Sequence, residues 1–261
     1  MTPAEILSTD LAEAAQKLRD KEQPFAFATI VRTVGATAAK PGAKALLGAD
    51  GTILHGWLGG GCTRGAVKRA AIAALQEGTP QLISVAPEEL LAQKGVAAGE
   101  DIEGTTFARN GCPSKGTVDI FVEPCLPVPQ LVVLGSSPVA LALNRLAPQF
   151  HWTNTSTLDP GNATDTRQKV VVIATQGQGD LDALKQALAQ DRSHIAFVGS
   201  ATKFAALADK LEAAGLPRKK IDTVKSPAGL KIGAVTPEEI ALSILAELVS
   251  VRRNSVKSNE A

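Results

Sequence analysis

Apolar positions along the chain change period several times, and each change marks an element. From residue 10 to residue 20, Leu11, Ala14, Ala15 and Leu18 recur at helical spacing until Pro24 breaks the pattern, so a helix opens the chain. Phe25–Val34, Lys44–Leu47 and residues 52–58 are β-rich runs separated by Gly35, Pro41-Gly42 and the Asp50-Gly51 turn, which predicts a small sheet of hairpin character. Gly59-Gly60-Gly61-Cys62 then leads into residues 64–76, where Val67, Ala70, Ala71, Ala74 and Leu75 form an apolar stripe that Gly78 ends. Residues 116–123 alternate as a strand. Pro124, Pro127 and Pro129 follow at once and mark a domain boundary.

Beyond that boundary the pattern becomes strand, glycine turn, helix. Residues 131–134 precede Gly135-Ser136-Ser137 and a helical stretch over 139–146. Two further apolar runs, 170–175 and 194–198, alternate with helical stretches 181–190 and 203–214. Short apolar strands separated by helices imply a parallel sheet covered on both faces. A last helix over 237–251 is announced by Thr236 as N-cap, Pro237 at its first position and Glu239 at its third. The expected architecture is α/β: a small N-terminal α/β domain (1–126), then a Rossmann-like doubly wound parallel-sheet domain (127–251), then a flexible polar tail (252–261).

Composition narrows the partners. Lysine and arginine number 27 against 26 acidic residues, so no broad field steers the chain toward nucleic acid or anionic lipid. Aromatic residues make up 3% with no Tyr, which removes the usual base-stacking platforms of single-strand binders. No run of about 18 apolar residues is present, and the first twenty residues lack a signal-type apolar core. No membrane partner and a cytoplasmic location are expected. Cys62, Cys112 and Cys125 fit neither a disulfide framework nor a zinc pattern, and no two of His55, His151 and His194 stand four apart.

Three turns could carry chemistry. Gly135, Ser136 and Ser137 stand between a buried strand and a helix, where backbone N–H groups and the helix dipole favour phosphate. The fingerprint is partial, because a serine stands where a second glycine is usual; Asp159 is the nearest acidic candidate for a ribose. Gly199 and Ser200 form a second such turn with Lys203 as a counter-charge, and Ser200 could equally be an ordinary N-cap. Gly59, Gly60 and Gly61 carry a backbone-entropy cost of up to about 1 kcal/mol each relative to alanine, which implies close approach of something to that backbone. Cys62, near the start of a helix, has a thiolate suited to a soft metal or to sulfur chemistry. Packing behind a tight turn is the alternative for Cys62, and plain packing is the expectation for Cys125.

Several segments together resemble the XdhC/CoxI family of xanthine dehydrogenase and molybdenum hydroxylase accessory factors. These are residues 28–37, Lys40-Pro41-Gly42-Ala43-Lys44, Gly59-Gly60-Gly61-Cys62 with Gly65-Ala66-Val67, residues 116–124, Val198-Gly199-Ser200 and, most specifically, residues 229–247. Three positions depart from the family pattern: Arg64 replaces a usual Glu, Gly135-Ser136-Ser137-Pro138 replaces Gly-x-Gly-His, and Thr175-Gln176-Gly177-Gln178 replaces a His-bearing run. All three remove acid or imidazole, which favours binding over chemistry.

The resemblance implies a chaperone that holds the molybdenum cofactor, as molybdopterin cytosine dinucleotide, for a xanthine oxidase-family molybdoenzyme such as carbon monoxide dehydrogenase. A sulfurtransferase is a further expected partner, and a homodimer the expected assembly. Phosphates are expected at Gly135 and Gly199, with the pterin and metal end at Gly59 to Cys62, where Cys62 would be the metal contact. An NAD(P)-dependent oxidoreductase and a cofactor-free scaffold for client enzyme and sulfurtransferase are the rival readings.

Overall fold

The computed structural model describes residues 3–111, 115–158, 167–190 and 194–257. Asp159 and Cys112 lie outside those residues, and of Cys62 the backbone alone is described. The chain divides into two compact units, Met1–Pro127 and Val128–Ala261.

In the first unit α1 (Pro3–Asp20) leads to β1 (Phe25–Val34), β2 (Lys44–Leu47), β3 (Ile53–Gly56), α2 (Gly61–Glu77), β4 (Gln81–Ala86), α3 (Glu88–Lys94), β5 (Asp101–Ile102), β6 (Thr105–Arg109) and β7 (Thr117–Cys125). The strands form one mixed sheet in the order β3-β2-β1-β7-β4-β6-β5. It is larger than the hairpin sheet expected, because β7 inserts between β1 and β4 and pairs with both antiparallel. Strand alternation then sorts the side chains. Ala26, Ala28 and Ile30 of β1, Ile83 and Val85 of β4, and Val118, Ile120 and Val122 of β7 pack on Val67, Ala70, Ala71 and Ala74 of α2. These are the stripe residues read from the sequence.

On the other face Phe25 and Leu46 pack on Leu11, Ala14 and Ala15 of α1. Further along that face a bulge between Ile30 and Arg32 sets Arg32 opposite Asp119. Asp119 is buried, its Oδ2 2.5 Å from Arg32 Nε, and its Oδ1 accepts a 2.7 Å hydrogen bond from the Ser84 hydroxyl. Two donors thus compensate a carboxylate that burial would otherwise penalise by several kcal/mol, at about that order.

In the second unit β8 (Gln130–Leu134), α4 (Pro138–Leu146), a 3-10 turn (Ala147–Phe150) and β9 (Thr153–Thr155) precede β10 (Lys169–Ile173) and α5 (Asp180–Leu188). Then come β11 (His194–Phe197), α6 (Ala201–Ala213), α7 (Arg218–Ile221) and α8 (Pro237–Lys257). The four strands are parallel in the order β11-β10-β8-β9. Leu131 and Val133 of β8 face a core with α4 and α8, while Val132 and Leu134 face a second core with α5 and α6. The unit is therefore doubly wound, as the alternating pattern predicted.

Helix α8 starts as expected: the Glu239 N–H donates to Thr236 Oγ1 at 3.3 Å, and Glu239 Oε2 accepts from the Thr236 N–H at 2.9 Å. It ends later than expected. It runs past Val251 to Lys257, so the first part of the expected tail is helical. Arg252 holds it there, 5.3 Å over the Trp152 ring and donating to the Phe150 carbonyl at 3.4 Å.

Candidate functional site

The glycine loop of the first unit sits where β3 hands over to α2. Gly59 has φ +104, a conformation that excludes most side chains, and a Cβ there would also meet Ala39 Cβ at 3.2 Å. Its glycine is required by the fold. Gly60 and Gly61 differ. Gly60 is extended (φ −69, ψ 176) and Gly61 is the first residue of α2, so any residue could adopt either backbone. A Cβ on either would have nothing within 4 Å. Two adjacent glycines therefore keep an entropic penalty that internal packing does not require. Gly60 is also the N-cap of α2 without a side-chain cap bond, and the helix has no acid in its first turn. The Thr63 hydroxyl and N–H both donate back to the Gly60 carbonyl, at 3.0 and 3.4 Å. Cys62 falls in this first turn; its side chain lies outside the described residues.

Beside the loop is a cavity of about 400 Å³ between β3 and α2. Leu58 and Val67 are buried beneath it, Trp57 stands half exposed at its wall, and Arg64 and Lys68 reach it from α2. The Asp50-Gly51 turn that precedes β3 lies directly on α2, since a Cβ on Gly51 would stand 2.7 Å from the Lys68 carbonyl oxygen. Trp57, Arg64 and Lys68 were not among the residues selected from the sequence as ligand contacts. Arg64 was visible only as a departure, and the i, i+4 spacing of two cations beside a loop tryptophan was the signal that could have found all three.

In the second unit the selected turns are present and are engaged largely by the protein itself. Gly135 has φ +114, and a Cβ there would stand 2.7 Å from the Ala174 carbonyl carbon and 2.8 Å from Thr175 Cα. The close approach expected of a pyrophosphate is thus made by the neighbouring turn after β10. Ser136 joins this turn to the helix, and Ser137 N-caps α4, accepting from the Ala140 N–H at 3.2 Å. A Cβ on Gly199 would collide with the Phe197 ring. Ser200 N-caps α6, accepting from the Lys203 N–H at 3.2 Å.

Lys203, the expected counter-charge, is paired within the protein. Its Nζ lies 2.5 Å from Asp180 Oδ2 and 5.6 Å from the Phe197 ring centroid. Asp180 also accepts from the Thr175 hydroxyl and from the Gly177 N–H at 3.1 Å. Burial alone would raise the Asp180 carboxyl, but hydrogen bonds from Lys203, Thr175 and Gly177 hold it below the usual carboxylate range. Asp159, the expected ribose contact, lies outside the described residues.

Cys125 packs at the end of β7 against the α1 cluster, where burial pushes its thiol up. Among the described residues no group of three or more His, Cys, Asp or Glu could hold a metal ion. Among them, too, no helix is long and apolar enough to cross a membrane.

Comparison with known proteins adds family to geometry. A family model described as the XdhC and CoxI family matches residues 18–86, and one described as the XdhC Rossmann domain matches residues 131–248. The Escherichia coli (strain K12) protein YqeB is 29% identical over 267 residues, covering 92% of this chain and 46% of its own length. The chain thus spans about half the length of the curated relative it matches. A crystal structure of a xanthine dehydrogenase from Bacillus halodurans is 22% identical, covers 97% of this chain and 96% of its own, and has a TM-score of 0.40. With one family model on each unit, the chain belongs to the XdhC and CoxI family.

Proposed function

We propose that this protein is an accessory factor for a xanthine dehydrogenase-type enzyme and that it holds the molybdenum cofactor, as cargo, on its way to that client. The form of the cargo is molybdopterin cytosine dinucleotide, and a carbon monoxide dehydrogenase-type enzyme is the client in this reading. Family membership supports the accessory role. The observation that carries the cargo is the pair Gly60 and Gly61, where neither backbone conformation nor packing calls for glycine and where added Cβ atoms would enter open space. A bulky group laid against that backbone accounts for both.

The residues present suit such a cargo. The loop offers N–H groups free of side-chain caps at the start of α2, and a cavity of about 400 Å³ lies beside it, within the ~300–1,000 Å³ range of small-molecule sites. Cys62, in the first helical turn, is the candidate soft ligand for the metal end. Gly135, Ser136, Ser137, Gly199 and Ser200 are proposed as a separate set of backbone phosphate contacts within the second unit, where Lys203 is paired with Asp180. Holding, orienting and releasing are the tasks of these groups. When bound, the cofactor itself supplies the redox chemistry, which belongs to the client.

The test is mass spectrometry of small molecules released from the full chain made in a host with intact cofactor synthesis. A pterin nucleotide in stoichiometric amount is the expected result. Release of a nicotinamide dinucleotide, or of no phosphorylated molecule, overturns the reading.

A further inference from the structure

The cavity beside the glycine loop carries more information than the glycines do. Its described lining includes no acidic side chain. Arg64 and Lys68 stand one turn apart on α2, a like-charge i, i+4 pair, and both line the cavity. Neither forms an ion pair among the described residues. Lys68 helps hold the Asp50 carboxyl below its usual range, but Asp50 lies outside the described lining and its Oδ1 accepts from the Thr52 hydroxyl at 2.7 Å and the Thr52 N–H at 3.0 Å. Two cations lining one hollow that has no carboxylate in its described lining suit an anion of two or more charges.

Trp57 also lines this cavity, 48% exposed in a chain that has only two tryptophans and no tyrosine. A large ring left half in water beside an apolar floor of Leu58 and Val67 offers a face for another flat ring. We propose that this cavity binds a phosphorylated planar heterocycle, its ring against Trp57 and its phosphates between Arg64 and Lys68. The proposal deepens the cargo reading and rests on it only for the choice of cytidine as base. It places the charge recognition of the nucleotide in the first unit, whereas Lys203 in the second is neutralised by Asp180.

The probe is cytidine 5′-diphosphate titrated into the full chain, followed by calorimetry and by the fluorescence of Trp57, with inorganic pyrophosphate as a second probe. Wild type is expected to bind the nucleotide with quenching. Arg64→Gln and Lys68→Gln should each weaken it about tenfold, by a factor that shrinks as salt rises. Trp57→Ala should weaken the nucleotide while leaving pyrophosphate unchanged, and Lys203→Gln should leave both unchanged. All three cavity positions are exposed, so the fold is expected to persist, and circular dichroism verifies it. No binding by wild type, or equal binding by Arg64→Gln and Lys68→Gln, overturns the proposal.

Pterin content of the same preparations separates the two readings. Pterin retained equally by wild type and by the double glutamine variant overturns the cavity and leaves the cargo. Nucleotide bound through Arg64 and Lys68 with no pterin ever recovered upholds the cavity and overturns the cargo.

Discussion

Lys203 and Asp180 join the starts of α6 and α5 through an ion pair of 2.5 Å, and Asp180 is buried while Lys203 is partly exposed. Because the folded carboxyl is held low, its contribution is present above the unfolded aspartate value of about 4 and is lost as pH falls through the folded value. Asp180→Asn should therefore cost about 1–3 kcal/mol at pH 7, since it leaves Lys203 and Thr175 with a weaker partner. That deficit should shrink as pH falls below about 4. Urea unfolding at pH 7 and at pH 3.5 checks it, and a deficit independent of pH would assign the effect to packing.

Gly135 and Gly61 should respond in opposite directions. Gly135→Val places a branched side chain at φ +114 against the Ala174–Thr175 backbone, so it should destabilise by more than about 3 kcal/mol or prevent folding. Gly61→Ala adds a methyl in open space at a helical position, so it should raise stability by up to about 1 kcal/mol. The same alanine should reduce bound cofactor. Thermal melts paired with pterin content read both, and unchanged cofactor with Gly61→Ala would remove the loop from the site.

Cys62 lies in the first turn of α2, next to the two unconstrained glycines. Cys62→Ser should change stability by less than about 1 kcal/mol while impairing maturation of the client, because a hydroxyl is a far poorer soft-metal ligand than a thiolate. Melting temperature, bound cofactor and client activity are compared in one variant. Full client activity would leave the cysteine without a direct role.

The Thr236–Glu239 box is a measure of how firmly α8 is started. Thr236→Ala removes the acceptor for the Glu239 N–H and should cost about 1 kcal/mol, read as a shift in the unfolding midpoint of the second unit. A change under a few tenths would mean that Pro237 and the packing of Ile244 and Leu245 fix the helix alone.

That box was legible because all its atoms belong to one turn of chain. Strand β4 was not. Its run between Pro80 and Pro87 lacks alternation, and only pairing with β6 and β7, residues distant in sequence, makes it a strand. Strand β9 is three polar residues whose place is fixed by β8. The same limit applies to the candidate site. Gly135 was readable as a turn glycine, yet its steric partner, Ala174, is supplied by another crossover. Lys203 was readable as a cation after a strand, yet Asp180 neutralises it from another helix. Conversely, Trp57, Arg64 and Lys68 line one cavity beside a turn that Gly51 lets lie on α2, a fit that no local pattern encodes.

Each unit has hydrophobic clusters of its own among the described residues. Heat capacity scans should accordingly resolve two melting events, each reporting its own half of the chain. A ligand held by Arg64 and Lys68 would move one event upward and leave the other in place, so the position of the shifted peak maps the ligand without any substitution at all.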